Sequence, residues 1–439
     1  MSWLTTALVA SAALGPQTTH LVPGDHGSIQ AAIDFAADGD TVLVGPGVWA
    51  ERIDLLGKRI TVRSELGAKA TVIDASGLDG SVVTAESGEP DGTRVAGFTL
   101  RGGSGGFNPA NGRYYGGGVL VHGSNGLFTS HLAVEDCEIV DNIDERITFG
   151  GGVAARFGSV LTLERTLVAN NFAWAAGGAA LVDYTGVLDI DRATLVGNQS
   201  TTYLGDQGGI ADANGGTLVV HDSILWDNSG SAIDHFIGAQ GPVTVDYCDL
   251  TGGYEGSGNL DADPRFIAGT YQLQATSPCV DAGDPQSDPD PDGSPADMGA
   301  FPLSSPPLQM TQSSDVASIS AGVSVGFEMQ LSESSGGAGI YWLLGSFGSS
   351  DSGFGMGDLW VPLAIDDYLL WTALSPNTAP LSHSLGLIFG AVPQTAQLSL
   401  PAGTTALVGQ TVRHSALLFE VDQNAFTFAT PAQALTFTP

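Results

Sequence analysis

The stretch LAVEDCEIVDN, Leu132 to Asn142, returns as LTLERTLVANN from Leu161, LDIDRATLVGN from Leu188, LVVHDSILWDN from Leu218 and, in degraded form, VTVDYCDLTGG from Val243. The starts lie 29, 27, 30 and 25 residues apart. A unit of about 27 residues is too short to bury a core alone, and repeats of this size bury a continuous one by stacking on their neighbours. Positions one, three and eight are apolar in each full copy (Leu132, Val134 and Ile139 in the first), which predicts three inward columns. Position six is small throughout, holding Cys137, Thr166, Ala193, Ser223 and Cys248, as expected where the chain turns a corner. Position eleven is Asn142, Asn171, Asn198 and Asn228, residues able to hydrogen-bond to their own kind in the next coil. The expected unit is one coil of a parallel β-solenoid.

Composition points the same way. Among 439 residues, 61 glycines accompany 43% hydrophobic and only 14% charged residues, which suits short strands and tight turns. With 47 acidic against 14 basic residues the formal charge is −33, which argues against nucleic-acid or anionic-membrane partners because phosphate contacts need clustered Lys and Arg. Such a surface keeps an extracellular protein soluble and collects divalent cations, but repels acidic polysaccharides unless a metal bridges the two. Leu4 to Leu14 form an apolar stretch of signal-peptide length, with Ala10-Ser11-Ala12 offering small residues for cleavage. Residues 1–20 are therefore expected to be a signal peptide and the protein to be secreted or held at the cell surface. No later segment is expected to be transmembrane, and a monomer is expected. The three cysteines are an odd number, and Cys137 and Cys248, four coils apart in one column, should lie about 19 Å from each other, too far to bond.

A second recurring signal is Gly-Gly before a short apolar strand, at Gly117-Gly118, Gly151-Gly152, Gly177-Gly178 and Gly208-Gly209. Together with the apolar-x-x-Asn signal, it resembles the repeats of polymorphic outer-membrane protein passengers and, more broadly, the pectin-lyase-like superfamily of right-handed parallel β-helices, over roughly residues 25 to 300. Upstream, SIQAAIDFAADGDTVLVGPGVWAE places Ile29, Ala32, Ile33 and Ala36 on one face of a short helix. It resembles the N-terminal capping helix of these folds. Downstream, DADPRF, SPCVDAGDP and DMGAF resemble the closing segment of secreted bacterial members.

The expected organisation is all-β, with a β-helix over 21–301, a Pro- and Ser-rich linker over 302–314 and a small β-sandwich over 315–439. The last rests on short runs such as VSVGFEMQLS, IYWLLGSF, LWVPLAI, YLLWTAL and ALLFEV between turn residues. A membrane barrel of the autotransporter kind would need longer, regular strands.

Three features carry candidate chemistry. Asp288, Asp290 and Asp292 alternate ahead of Gly293, with Asp297 following, a pattern resembling the first half of a calcium loop; Gly299 stands where an EF-hand has its closing acid. Calcium is the cofactor this suggests, against a solvated acidic turn. Second, the resemblance implies saccharide binding on the strands after Gly-Gly. There His122 and Arg156 fall at equivalent positions, with Asp183 and Asp212 one residue out of step. A base, a charge stabiliser and a metal ligand are the roles an elimination reaction would give them. Third, Tyr114, Tyr115, Phe149, Trp174 and Tyr203 precede the corners, a carbohydrate platform or solenoid packing. Non-catalytic binding of extracellular polysaccharide or a cell-surface partner is favoured by the scarcity of basic residues and the lack of a close catalytic motif. The alternative is a polysaccharide-active enzyme: a pectate or uronate lyase, a glycoside hydrolase or an epimerase.

Overall fold

The computed structural model describes residues 17–439 except 125, 202–208, 214, 238–240, 268–269, 275–276, 304–307, 332–337, 349–352, 357–358, 390–391, 421–424 and 431. The chain divides into two compact units, one of Met1–Asp290 with Ser294–Leu303, the other of Pro291–Gly293 with Ser304–Pro439. No helix among the described residues is long and apolar enough to cross a membrane.

In the first unit the described residues form three long parallel sheets of nine, eight and seven strands. Each coil visits them in turn: His131–Glu135 lies in the first sheet, Glu138–Val140 in the second and Val153–Arg156 in the third, before Val160–Glu164 re-enters the first one coil further on. The arrangement is consistent with a β-helix. Its register is the sequence repeat itself: Leu132 pairs with Leu161, Leu161 with Leu188, Leu188 with Leu218 and Leu218 with Val243. Positions one, three, six and eight of the four full copies are buried.

The asparagines form a continuous ladder. The side-chain Nδ2 of Asn142 donates to Oδ1 of Asn171, Asn171 to Asn198, and Asn198 to Asn228, each at 2.9 Å. Each Oδ1 also accepts the backbone N–H of the preceding asparagine, at 3.1, 3.0 and 3.0 Å. A second hydrogen on Asn171, Asn198 and Asn228 reaches a backbone carbonyl at 2.8 Å. All three thiols are free and buried, and burial pushes the Cys137 thiol up to about 12.

Corners differ from expectation in detail. The sharp bend falls at position five, where Asp136, Arg165, Arg192, Asp222 and Tyr247 have left-handed φ of 51, 45, 47, 46 and 54°. The small residue at position six follows it. The glycine signal is offset as well: hydrogen bonds run from Gly117 N to Gly150 O and from Gly151 N to Gly177 O, so Gly116, Gly150 and Gly177 share the left-handed bend, with φ of 60, 66 and 67°. Gly177-Gly178 is thus equivalent to Gly150-Gly151, one residue earlier than the motif suggests. Gly152 is there for space: a Cβ would sit 2.6 Å from Val168 Cγ1 and 3.2 Å from Asn171 Nδ2.

Near the start, Thr19–Val22 pairs with Thr41–Val44, and Asp40 accepts from Thr18 N and bonds the buried His20 ring. The solenoid therefore already includes Thr18 to His20, inside the stretch 1–20 assigned to a leader; residues 1–16 of that stretch lie outside the described residues. Helix α1 (Ile29–Phe35) buries Ile29, Ala32 and Ile33 in the solenoid's core cluster. The second coil clamps both its ends. Glu51 accepts from Ile29 N and Gln30 N at 3.0 Å, and Lys58 Nζ donates to the carbonyls of Ile33, Asp34 and Ala36 at 2.7, 2.8 and 2.8 Å.

The second unit is mainly antiparallel. One four-stranded sheet is built from Leu308–Gln312, Val323–Leu331, Gln394–Leu400 and Leu381–Ser382; a larger one centres on Ala338–Ser346 and Thr411–Glu420. One apolar cluster joins Val325, Phe327 and Leu398 of the first to Leu343, Leu418 and Phe437 of the second. Two expectations are corrected here. LQMTQ, inside the 302–314 linker, is a strand because its alternating Leu308 and Met310 reach that cluster. YLLWTAL is a helix, Asp367–Leu374, because Asp366 caps it by accepting Leu369 N at 2.8 Å.

Asn171→Ala removes four hydrogen bonds from the ladder's interior and strands buried donors on Asn142. The expected loss of stability is about 3 kcal/mol, read from the urea midpoint. A change below about 0.5 kcal/mol would mean that the amides do not hold the coils together.

Candidate functional site

The third sheet's outer face brings together three of the four residues of the catalytic hypothesis. His122 pairs with Arg156 and Arg156 with Asp183 in adjacent strands. Asp212 is not in this column: Asp183 pairs with Ala213, and Asp212 with Val182, in the register of the inward residues Val121 and Ala155. Because Gly177-Gly178 comes one residue early, Asp183 falls into line with Arg156, while Asp212 keeps the one-residue offset read in the sequence.

Arg156 is only 1% exposed. Its Nε donates to both carboxylate oxygens of Asp183, at 2.9 and 3.1 Å, and its Nη2 to Oδ2 at 2.8 Å. The guanidinium carbon lies 3.4 Å from the centroid of the Tyr115 ring, which covers it, and 4.9 Å from that of Phe157. Burial pushes the Asp183 carboxyl above its ordinary range while Arg156 pulls it back. Burial and then the Arg156 charge hold the half-buried His122 below its usual value, which keeps the ring neutral. Arg156 cannot reach a substrate as base or charge stabiliser in this arrangement, and Asp183 has no face left for a metal. The pair is a buried strut.

The aromatic row is broken in the same place. Tyr115 and Phe149 are 3% and 4% exposed, stacked with centroids 5.6 Å apart, and pack with Leu120, Ala154, Ala175, Ala176 and Leu181 into a small core on the outside of the third sheet. They are not available as a platform. Tyr114 is half-buried between Phe107 and Arg146, Trp174 is 42% exposed, and Tyr203 lies outside the described residues.

Just beyond the ends of the third-sheet strands an open cleft of about 360 Å3 is lined by Ser124, Leu127, Phe128, Thr129, Phe157 and Thr185, with the backbone at Gly126 and Gly158. Leu127 and Phe128 are exposed. Phe157 forms one wall, stacked at 4.5 Å and 5° on Tyr184 and in contact with His122 at 4.9 Å. Sequence reasoning missed it, although a signal existed: Phe157 and Tyr184 each follow a member of the Arg156–Asp183 column by one residue.

Two aspartates of the expected calcium loop accept backbone N–H groups. Asp297 accepts from Asp281 N at 2.7 Å and Leu303 N at 2.6 Å, and Asp290 from Asp297 N at 2.9 Å. Asp288 is exposed and Asp292 half-buried, and among the described residues no group of three or more His, Cys, Asp or Glu side chains converges in a way that fits a metal ion. On the first sheet outward acids are bridged between coils, Arg94 to Glu135 at 3.0 Å, Arg165 to Asp136 at 2.8 Å and Arg192 to Glu164 at 3.6 Å, and Arg165 also meets Glu164 of its own coil.

No protein-family model, curated protein or solved structure matches this chain.

Asp183→Asn leaves the Arg156 cation buried without its partner and is expected to cost about 3–5 kcal/mol in thermal or urea unfolding. The double change Arg156→Met with Asp183→Leu should recover most of that loss. A cost below about 1 kcal/mol for the single change would show the pair to be solvated rather than sealed.

Proposed function

We propose that this chain is a secreted or cell-surface right-handed parallel β-helix protein, of the pectin-lyase-like kind, that binds extracellular polysaccharide without catalysing its breakdown. In this reading helix α1 caps the solenoid's first coil, and the second unit is a β-sandwich appended to it. One observation carries the proposal: two of the three ionisable groups that the register brings together, Arg156 and Asp183, are tied up in a strut under Tyr115, while an open cleft with rings and hydroxyls lies beside them. Aromatic and aliphatic faces suit the C–H face of a sugar, and hydroxyls suit its rim. Loops at the ends of a rigid scaffold are where binding groups usually gather.

The enzymatic alternative rests on His122, a neutral ring in contact with the cleft wall Phe157. An elimination would still need a cation at the substrate carboxylate, and Arg156 is engaged elsewhere. Calcium added from solution would have to supply it.

Affinity electrophoresis through gels containing a panel of polysaccharides tests the binding reading. Retardation by at least one polymer is expected, weakened roughly tenfold by Phe128→Ala. In parallel, absorbance at about 235 nm follows polyuronates mixed with the protein, with and without calcium. A rise that His122→Ala abolishes would overturn the non-catalytic reading; retardation that Phe128→Ala leaves unchanged would remove the cleft.

A further inference from the structure

Resting on the binding reading, we infer that the saccharide taken by the cleft is an uncharged pyranose chain, and that uronic-acid polymers are excluded. The lining is the first reason. Ser124, Thr129 and Thr185 bring hydroxyls, Leu127, Phe128 and Phe157 bring apolar surface, and none of the lining side chains is ionisable. A hydroxyl both donates and accepts, as does each hydroxyl of a neutral sugar, so the two rims match in either orientation. A carboxylate only accepts, and it loses much of its hydration on entry unless a cation meets it.

The two candidate cations beside Phe157 do not meet it. Arg156, one residue from Phe157, is 1% exposed and bidentate on Asp183, so its charge is compensated and covered. His122 on the other side of Phe157 stays neutral because burial and Arg156 both disfavour its protonated form. Arginines elsewhere on the solenoid are also engaged: Arg101 with Asp74, Arg146 with Asp79 and Asp144, and Arg165 with Asp136. Beyond the cleft, a formal charge of −33 repels a polyanion at long range, most strongly at low salt. The volume of about 360 Å3 falls in the range of about 300–1,000 Å3 typical of small-ligand sites, so a short segment of chain is what the cleft holds.

Calorimetric titration of the full chain with neutral hexasaccharides (gluco-, manno-, galacto- and xylo-configured) and with oligogalacturonate and oligomannuronate, each at about 0.05 and 0.5 M salt, tests this. The expected result is binding of at least one neutral oligosaccharide, changed less than about twofold by salt and weakened roughly tenfold by Phe128→Ala. Uronate binding should be at least about tenfold weaker at low salt and should rise in Thr185→Lys, which sets a cation on the rim. If a uronate binds more tightly than every neutral sugar, and Phe128→Ala abolishes that binding, the cleft stands and the uncharged assignment falls. If no oligosaccharide of either kind binds, both the assignment and the binding reading fall.

Discussion

Interior strands of the three long sheets make their hydrogen bonds to the coils above and below, so a coil cannot satisfy those strands by itself. That constraint fixes the register, and with a strand spacing of about 4.8 Å it forces each residue to sit on its own counterpart in the next coil. Whatever occupies a position must therefore tolerate a copy of itself, or a deliberate complement, at van der Waals distance. Leucine on leucine does so at position one, and asparagine on asparagine does so at position eleven because an amide carries both donor and acceptor. Carboxylate on carboxylate needs a cation beside it. Along position four Glu135, Glu164 and Asp191 stack directly, and Arg165 and Arg192 reach Glu164 from position five.

The same rule explains the candidate site. Arg156 and Asp183 are stacked counterparts on the third sheet, and their opposite charges let the column be sealed by Tyr115 where two like charges would have kept it wet. The open cleft lies further out, at the ends of the strands, where the chain leaves the sheet. Phe157 and Tyr184 are the last stacked pair before that point, and the cleft opens against them.

The repeat made the columns legible because self-stacking writes one residue type at one spacing. The inward positions, the ladder and the buried thiols could all be read from that periodicity. Corners were harder, since the left-handed bend at position five is taken by Asp, Arg and Tyr rather than glycine, and nothing in those residue types announces it. The glycine signal misled by one residue because two needs, a left-handed bend at Gly150 and space beside Val168 and Asn171 at Gly152, are written with the same letter. That slip made Asp183 look out of step, whereas the register sets it on Arg156. The aromatics before the corners left platform and packing both open, because the small core that Tyr115 and Phe149 join lies on the outer face of the third sheet, against Leu120, Ala154 and Leu181. In the second unit, local capping by Asp366 overrode an apolar run that looks like a strand.

Stacking in register is the claim from which the rest follows, and a distance measurement tests it most directly. Ala133 and Thr244 are joined through Thr162, Asp189 and Val219 by strand pairing and face outward, while the native thiols are buried and will not label. Nitroxide labels at Ala133→Cys and Thr244→Cys should report, by pulsed electron resonance, one narrow distribution corresponding to four strand spacings, about 19 Å between backbones. A distribution centred beyond about twice that length, or spread without a maximum, would contradict the in-register solenoid.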